Sequence, residues 1–133
     1  MISPTQRTLL WLRRRGCLAA VVERFNAYVT RPDGGKGVRM DLFGFLDVIA
    51  VEPNRRGVTG YQVCRSDDIA AHEAKIRDEK RWPKAQQWLR AGNRIYVVGW
   101  AKRGQGSKRW TMSQREITCE SPAPTPKAKS LLP

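Results

Sequence analysis

Apolar positions along this chain fall into short blocks separated by glycine, proline and charge, and the spacing inside the blocks differs. Ser3-Pro4 followed by Thr8-Leu9-Leu10-Trp11-Leu12 predicts a capped first helix, with proline in its opening turn and Gly16 just past its end. Cys17-Leu18-Ala19-Ala20-Val21-Val22 is continuous and rich in small and β-branched residues, the pattern of a strand buried on both faces, and Glu23-Arg24 ends it. Residues 25–37 contain Pro32 and Asp33-Gly34-Gly35-Lys36-Gly37 without a sustained period and are expected to form a loop. Leu42 to Val51 is the most apolar stretch and reads as a central strand. Glu52-Pro53-Asn54-Arg55-Arg56 has the composition of a turn, and Gly57 to Arg65 reads as the returning strand.

Ser66-Asp67-Asp68 supplies caps and negative charge for a helix from about Ile69 to Lys80, which Trp82-Pro83 breaks. A short helix, Lys84 to Ala91, ends at Gly92-Asn93, and strands are expected at Arg94–Trp100 and Arg109–Thr118. The order α, β, β, β, α, α, β, β predicts an α/β fold with a mixed central sheet flanked by helices. One domain should occupy residues 1–118. Residues 119–133, holding four of the eight prolines within the last 12 positions, read as a solvated, disordered tail.

Charge changes the picture next. The 133 residues carry 25 Lys+Arg against 12 Asp+Glu, a formal net charge of +13. The acids gather in the middle: residues 41–80 hold 8 of the 12, whereas Lys80 to Arg115 holds 10 basic residues and no acid. On a domain of small net charge such a run would be a solvated face. At +13 a polyanion is the better explanation, because each neutralised phosphate releases a condensed counterion. Nucleic acid is therefore the expected partner, ahead of acidic proteins or an anionic membrane surface, through Arg13, Arg14, Arg15, Arg39, Lys102, Arg103, Lys108 and Arg109. The last four flank glycines in a segment nearly symmetrical about Gln105, which as a hairpin would pair Trp100 with Trp110 across strands.

No stretch approaches the roughly 20 apolar residues of a membrane span. Leu9–Leu12 precedes Arg13–Arg15, the wrong order for a secretory signal. Cys17, Cys64 and Cys119 are odd in number and widely spaced, which supports neither a disulfide framework nor a zinc site. A cytoplasmic or nucleoid-associated protein in a reducing compartment is expected, with no membrane.

Asp47 is the lone ionisable residue inside Leu42–Val51. A buried carboxylate must be paired, hydrogen-bonded, protonated or bound to a cation. If the hairpin is symmetric about Asn54 and Arg55, cross-strand partners have indices summing to 109, so Asp47 faces Gln62, and Cys64 lies on the same face. Read as residues alone, Asp47 satisfied by backbone amides or an arginine and Gln62 in a cross-strand hydrogen bond are the competing readings. Cys64 suits a small buried hydrophobe, His72 and Glu73 a helix surface, and Asp67 and Asp68 helix caps.

Gly16–Val22, Phe45–Val51 and Gly60–Cys64 together resemble the core of the PD-(D/E)XK nuclease superfamily, within it the Holliday-junction-resolvase-like branch, over about residues 5–100. The resemblance implies a restriction-endonuclease-like αβββαβ core and a metal-dependent DNA endonuclease or resolvase-like protein that hydrolyses phosphodiester bonds with Mg²⁺ or Mn²⁺. Asp47 matches the strand acid that binds metal in that superfamily. Gln62 stands where a second acid is usual and Cys64 where a lysine is usual, and Thr5 and Gln6 stand where a first-helix acid is found. The implied catalytic set is Asp47, Gln62, Glu23 and Lys75, with Asp47, Gln62 and Glu23 as metal ligands and Lys75 as a lysine migrated to the following helix. Asp41 is a further acid at the opening of the second strand. The departures at Gln62 and Cys64 motivate an alternative: a catalytically inactive module of the same fold that binds DNA or RNA through its basic surfaces. Homodimers are common in that branch, though no particular residue here carries one.

Overall fold

A computed structural model describes residues 2–104 and 109–119. Lys108 in the hairpin tip and residues 120–133 of the expected tail lie outside the described residues. The elements are α1 (Pro4–Arg14), β1 (Leu18–Val21), β2 (Arg24–Thr30), β3 (Lys36–Met40), β4 (Val48–Val51), β5 (Thr59–Arg65), a 3-10 turn (Ser66–Asp68), α2 (Ile69–Ile76), α3 (Trp82–Arg90), β6 (Arg94–Lys102) and β7 (Trp110–Ile117). Five strands form one sheet in the order β1-β4-β5-β6-β7, while β2 and β3 form a separate ribbon. Within the large sheet β5 and β6 are parallel and the other pairs antiparallel. The fold is α/β with a mixed sheet, as expected, and no helix among the described residues is long and apolar enough to cross a membrane.

The two sheet faces bury different partners. On one, Leu9 and Leu12 of α1 pack with Val48, Ala50, Tyr61, Val98 and Trp100. Ser3 caps α1, its hydroxyl accepting from Gln6 N at 3.1 Å. Thr8 is wholly buried because its hydroxyl has two partners, donating to Pro4 O and accepting from Trp100 Nε1, each at 2.9 Å. On the other face, Ile69, Ile76 and Ala85 from α2 and α3 close over Phe45, Leu46, Ile95 and Val97. Gly99 of β6 permits the chain to turn tightly into α2, since a Cβ there would come within 2.6 Å of Ser66 Cα.

Several sequence expectations change. Residues 25–37 are mostly ribbon, with Arg24 opposite Met40 and Asn26 opposite Val38. The alternation was hidden because both faces of the ribbon are open: Phe25 is 64% and Tyr28 91% exposed. The strand expected over Leu42–Val51 begins at Val48. Before it, Phe43 (φ 56°) and Gly44 (φ 84°) turn the chain, and Leu42 N donates to Leu46 O at 2.8 Å. β1 is an exposed edge strand and not a doubly buried one, with Leu18 76% exposed. α2 stops at Ile76, because Asp78 accepts from the backbone N–H groups of Lys80 and Arg81 and starts α3 at Trp82, with Pro83 in its first turn. The last hairpin pairs Trp100 with Met112 and Lys102 with Trp110, two residues out of the expected register. An even shift keeps side chains on the same face, so Trp100 and Trp110 still share one side of the sheet.

Candidate metal centre

The β4–β5 hairpin has the register read from the sequence: Val48 pairs with Tyr61, Ile49 with Gly60 and Ala50 with Thr59. Asp47, one step before β4, is held from both sides. Its N–H donates to Tyr61 O at 2.8 Å, and its carbonyl accepts from Val22 N at 2.8 Å. The side chain is 4% exposed. One carboxylate oxygen, Oδ2, accepts from Gln62 Nε2 at 2.7 Å and from Val63 N at 2.8 Å. Each such bond to a charged acceptor is worth about 1.5–3 kcal/mol net, which offsets part of the cost of removing the carboxylate from water.

Two further acids arrive through the ribbon. Arg24 and Met40 pair at its neck, so Glu23 just before β2 and Asp41 just after β3 are set side by side next to Asp47. Carboxylate oxygens of Glu23, Asp41 and Asp47 lie within 4.8 Å of one another, the only cluster of its kind among the described residues. Arg39 reaches Glu23 Oε2 at 3.9 Å from a largely exposed position at the mouth. Gln62 turns its amide nitrogen toward the acids, with Asp41 Oδ2 at 3.4 Å as well as Asp47, and its Oε1 is buried with no hydrogen-bond partner. A three-carboxylate set beside an orphaned amide oxygen is the all-oxygen chemistry that suits Mg²⁺ or Mn²⁺. The residues present therefore fit such an ion.

The electrostatics agree with a buried carboxylate crowded by a second one. Burial first, then the Asp41 carboxyl beside it, raises Asp47 to about 7, against the opposing Val63 N–H and Gln62 amide. Cys64, on the same face, is pushed up to about 11 by burial and by Asp68 and Asp47, and stays a neutral thiol.

The surrounding pocket, about 570 Å³, is walled by the first turn of α1 including Thr5 and Gln6, by Arg39, and by Asp68, His72 and Lys75 along α2. Lys75 thus stands on the wall of the pocket. His72, read from sequence as helix surface, stands there too: its Nδ1 is buried without a partner, and burial, then Lys75, lower its basicity. Residues 68, 72 and 75 are spaced to share a helix face, and that spacing was the available signal.

The expected nucleic-acid contacts are dispersed. Arg13, Arg14 and Arg15 sit at the far end of α1 from the turn that walls the pocket. Arg13 donates to Ala19 O at 3.2 Å, and Arg15 stacks over Trp11 at 4.7 Å. Lys102, Arg103 and Arg109 lie at the β6–β7 turn, closed by Arg103 N donating to Arg109 O at 2.8 Å. Of the seven that lie among the described residues, only Arg39 adjoins the acids. Comparison of the chain with protein-family models, with curated proteins and with solved structures returns no match.

Proposed function

We propose that the chain is a metal-dependent nuclease acting on DNA, with a restriction-endonuclease-like core. The observation that carries this reading is the convergence of Glu23, Asp41 and Asp47 beside buried Gln62 in a pocket of a strongly basic protein. The succession α1, β1, β4, β5, α2, β6, with β2–β3 inserted as a ribbon and β5 parallel to β6, supports the core assignment.

When bound, Mg²⁺ or Mn²⁺ supplies a polarised water and neutralises phosphate charge. Asp47, Asp41 and Glu23 would hold the ion, and rotation of the Gln62 amide would offer its oxygen in place of the nitrogen. His72, kept neutral by burial and Lys75, can accept a proton from the attacking water. Lys75 stabilises developing negative charge from the pocket wall, the part that Cys64 cannot play.

Cleavage of branched, single-stranded and duplex DNA with Mg²⁺ or Mn²⁺ tests the reading. Asp47→Ala should lose about 10²–10³-fold in rate, the scale of a lost electrostatic contributor. Equal cleavage by both proteins would sink it. The competing reading, a non-catalytic module binding DNA or RNA, is favoured by one observation: Asp47 Oδ2 already has two donors without any cation. Tight, salt-dependent binding with no turnover at any metal concentration would select it.

A further inference from the structure

A second depression of about 570 Å³ opens directly from the acid pocket and shares Arg39, Asp41 and Lys75 with it. Its walls add Lys80, Arg81 and Lys84. Five cations face one acid there, and they come from three parts of the chain: the end of β3, α2, and the segment that leads into and opens α3. Arg81 braces the wall, its Nε donating to Gly44 O at 2.9 Å and its Nη1 pairing with Asp78. Lys75, Lys80 and Lys84 form no ion pair among the described residues, and Lys80 and Lys84 are exposed. Arg81 and Arg39 are engaged by Asp78 and Glu23, but no ion pair of the described residues accounts for the three lysines, whose like charge costs self-repulsion.

The trough ends on aromatic rings. Phe43 lines it and is half-exposed, with its ring 6.3 Å from that of Trp88 in a tilted pair. Phe43 and Lys84 also border the next depression, where Trp88 and Gln87 lie. Phe43 holds φ at 56° because it and Gly44 turn the chain ahead of β4, and that turn leaves its ring half-exposed beside the cationic track.

We propose that this trough binds a single-stranded DNA segment leaving the acid pocket, its phosphates following Arg39, Lys75, Lys80 and Lys84 and an unpaired base stacking on Phe43. Cations along a groove with an aromatic at its end are the elements of single-strand recognition, since every base has a face to stack and every phosphate a charge to neutralise. A duplex keeps its bases stacked inside and offers Phe43 nothing. The inference rests on the reading of the acid pocket as the place where the backbone is cut, but its test does not use cutting.

Binding of a fluorescent 20-nucleotide single strand and of a blunt duplex of the same sequence is measured in EDTA across a salt series. Replacing Lys80 and Lys84 together by Gln removes two phosphate contacts. The single-strand salt slope should fall by about 1.4, and affinity at 0.1 M salt by about 25-fold, while duplex affinity changes much less. Phe43→Asn, a residue tolerant of positive φ, should weaken single-strand binding about tenfold and leave the duplex unchanged. Wild-type affinity and slope in the lysine variant, or equal losses on both DNAs, would overturn the proposal. So would a 25-fold single-strand loss carried instead by a Lys102→Gln/Arg103→Gln protein. Because no metal is present, these results stand whether or not Asp47→Ala abolishes cleavage.

Discussion

Asp47 and Glu52 bracket the same short strand, and their carboxyl groups meet opposite surroundings. Glu52 lies at the turn end of the β4–β5 hairpin, where it accepts from Thr59 Oγ1 at 2.7 Å and pairs with Arg55 at 3.2 Å and Arg94 at 3.7 Å. Burial pulls it upward, but the Thr59 hydroxyl and the two guanidinium groups outweigh this and hold it below its ordinary value. Asp47 has a second carboxyl for a neighbour, no cationic partner among the described residues, and a value raised to about 7. An acid that serves the fold is compensated by the chain itself. Asp47 is left without such compensation, and the contrast is more informative than burial alone.

The sharpest break in this comparison is expected from catalysis. Asp41→Asn removes one carboxylate from the cluster and should cut Mg²⁺-dependent cleavage by about 100-fold, whereas Glu52→Gln should leave the rate per folded molecule within about threefold. Comparable losses in the two variants, measured by single-turnover cleavage, would erase the distinction.

The next effect is on protons and stability. Folded Asp47 retains its proton between its ordinary value near 3.9 and about 7, where the unfolded chain has released it. Its contribution to the metal-free protein is therefore present at low pH and lost as pH rises toward 7. Asp47→Asn should then stabilise the metal-free protein at pH 8 by up to about 4 kcal/mol, roughly three pKa units at 1.4 kcal/mol each, as read by urea unfolding in EDTA. Destabilisation at pH 8 would argue that the carboxylate is already compensated. Calorimetry in buffers of different ionisation enthalpy should also show proton release when Mg²⁺ or Mn²⁺ binds near pH 6.5, and none in Asp47→Asn.

Glu52 should give the smallest effect and the opposite slope. Its lowered value means that its contribution is present above the ordinary range and is lost as pH falls through the folded value. Glu52→Gln should cost about 1 kcal/mol at pH 7, and the cost should shrink as the pH falls through the lowered folded value. A cost that persisted in acid would belong to packing and not to charge.

The part of the centre that was legible in the sequence is the part made by one tight hairpin. A turn centred on Asn54 and Arg55 determines every cross-strand neighbour by arithmetic, so Asp47 opposite Gln62 follows from the residues between them. Asp41 and Glu23 could be named only as nearby acids, because their meeting depends on β2 pairing with β3, and a ribbon open on both faces has no buried side to impose a visible period. Phe43-Gly44 is hidden for a different reason: an unbroken apolar run reads as a strand, although a glycine within it is the usual mark of a bend. The basic residues show the same division. Lys102 and Arg103 stand out as neighbours in sequence, while Arg39, Lys75, Lys80 and Lys84 become a track only when three segments fold together.

Glu23 and Asp41 stand at the two feet of one hairpin and owe their proximity to its closure. The density of negative charge beside Asp47 is therefore coupled to a ribbon that shares no strand with the main sheet. Any opening of the ribbon's neck spreads the carboxylates and leaves Asp47 and Gln62 as an ordinary hydrogen-bonded pair, so the exposed ribbon acts as a clasp on the charge of a buried site.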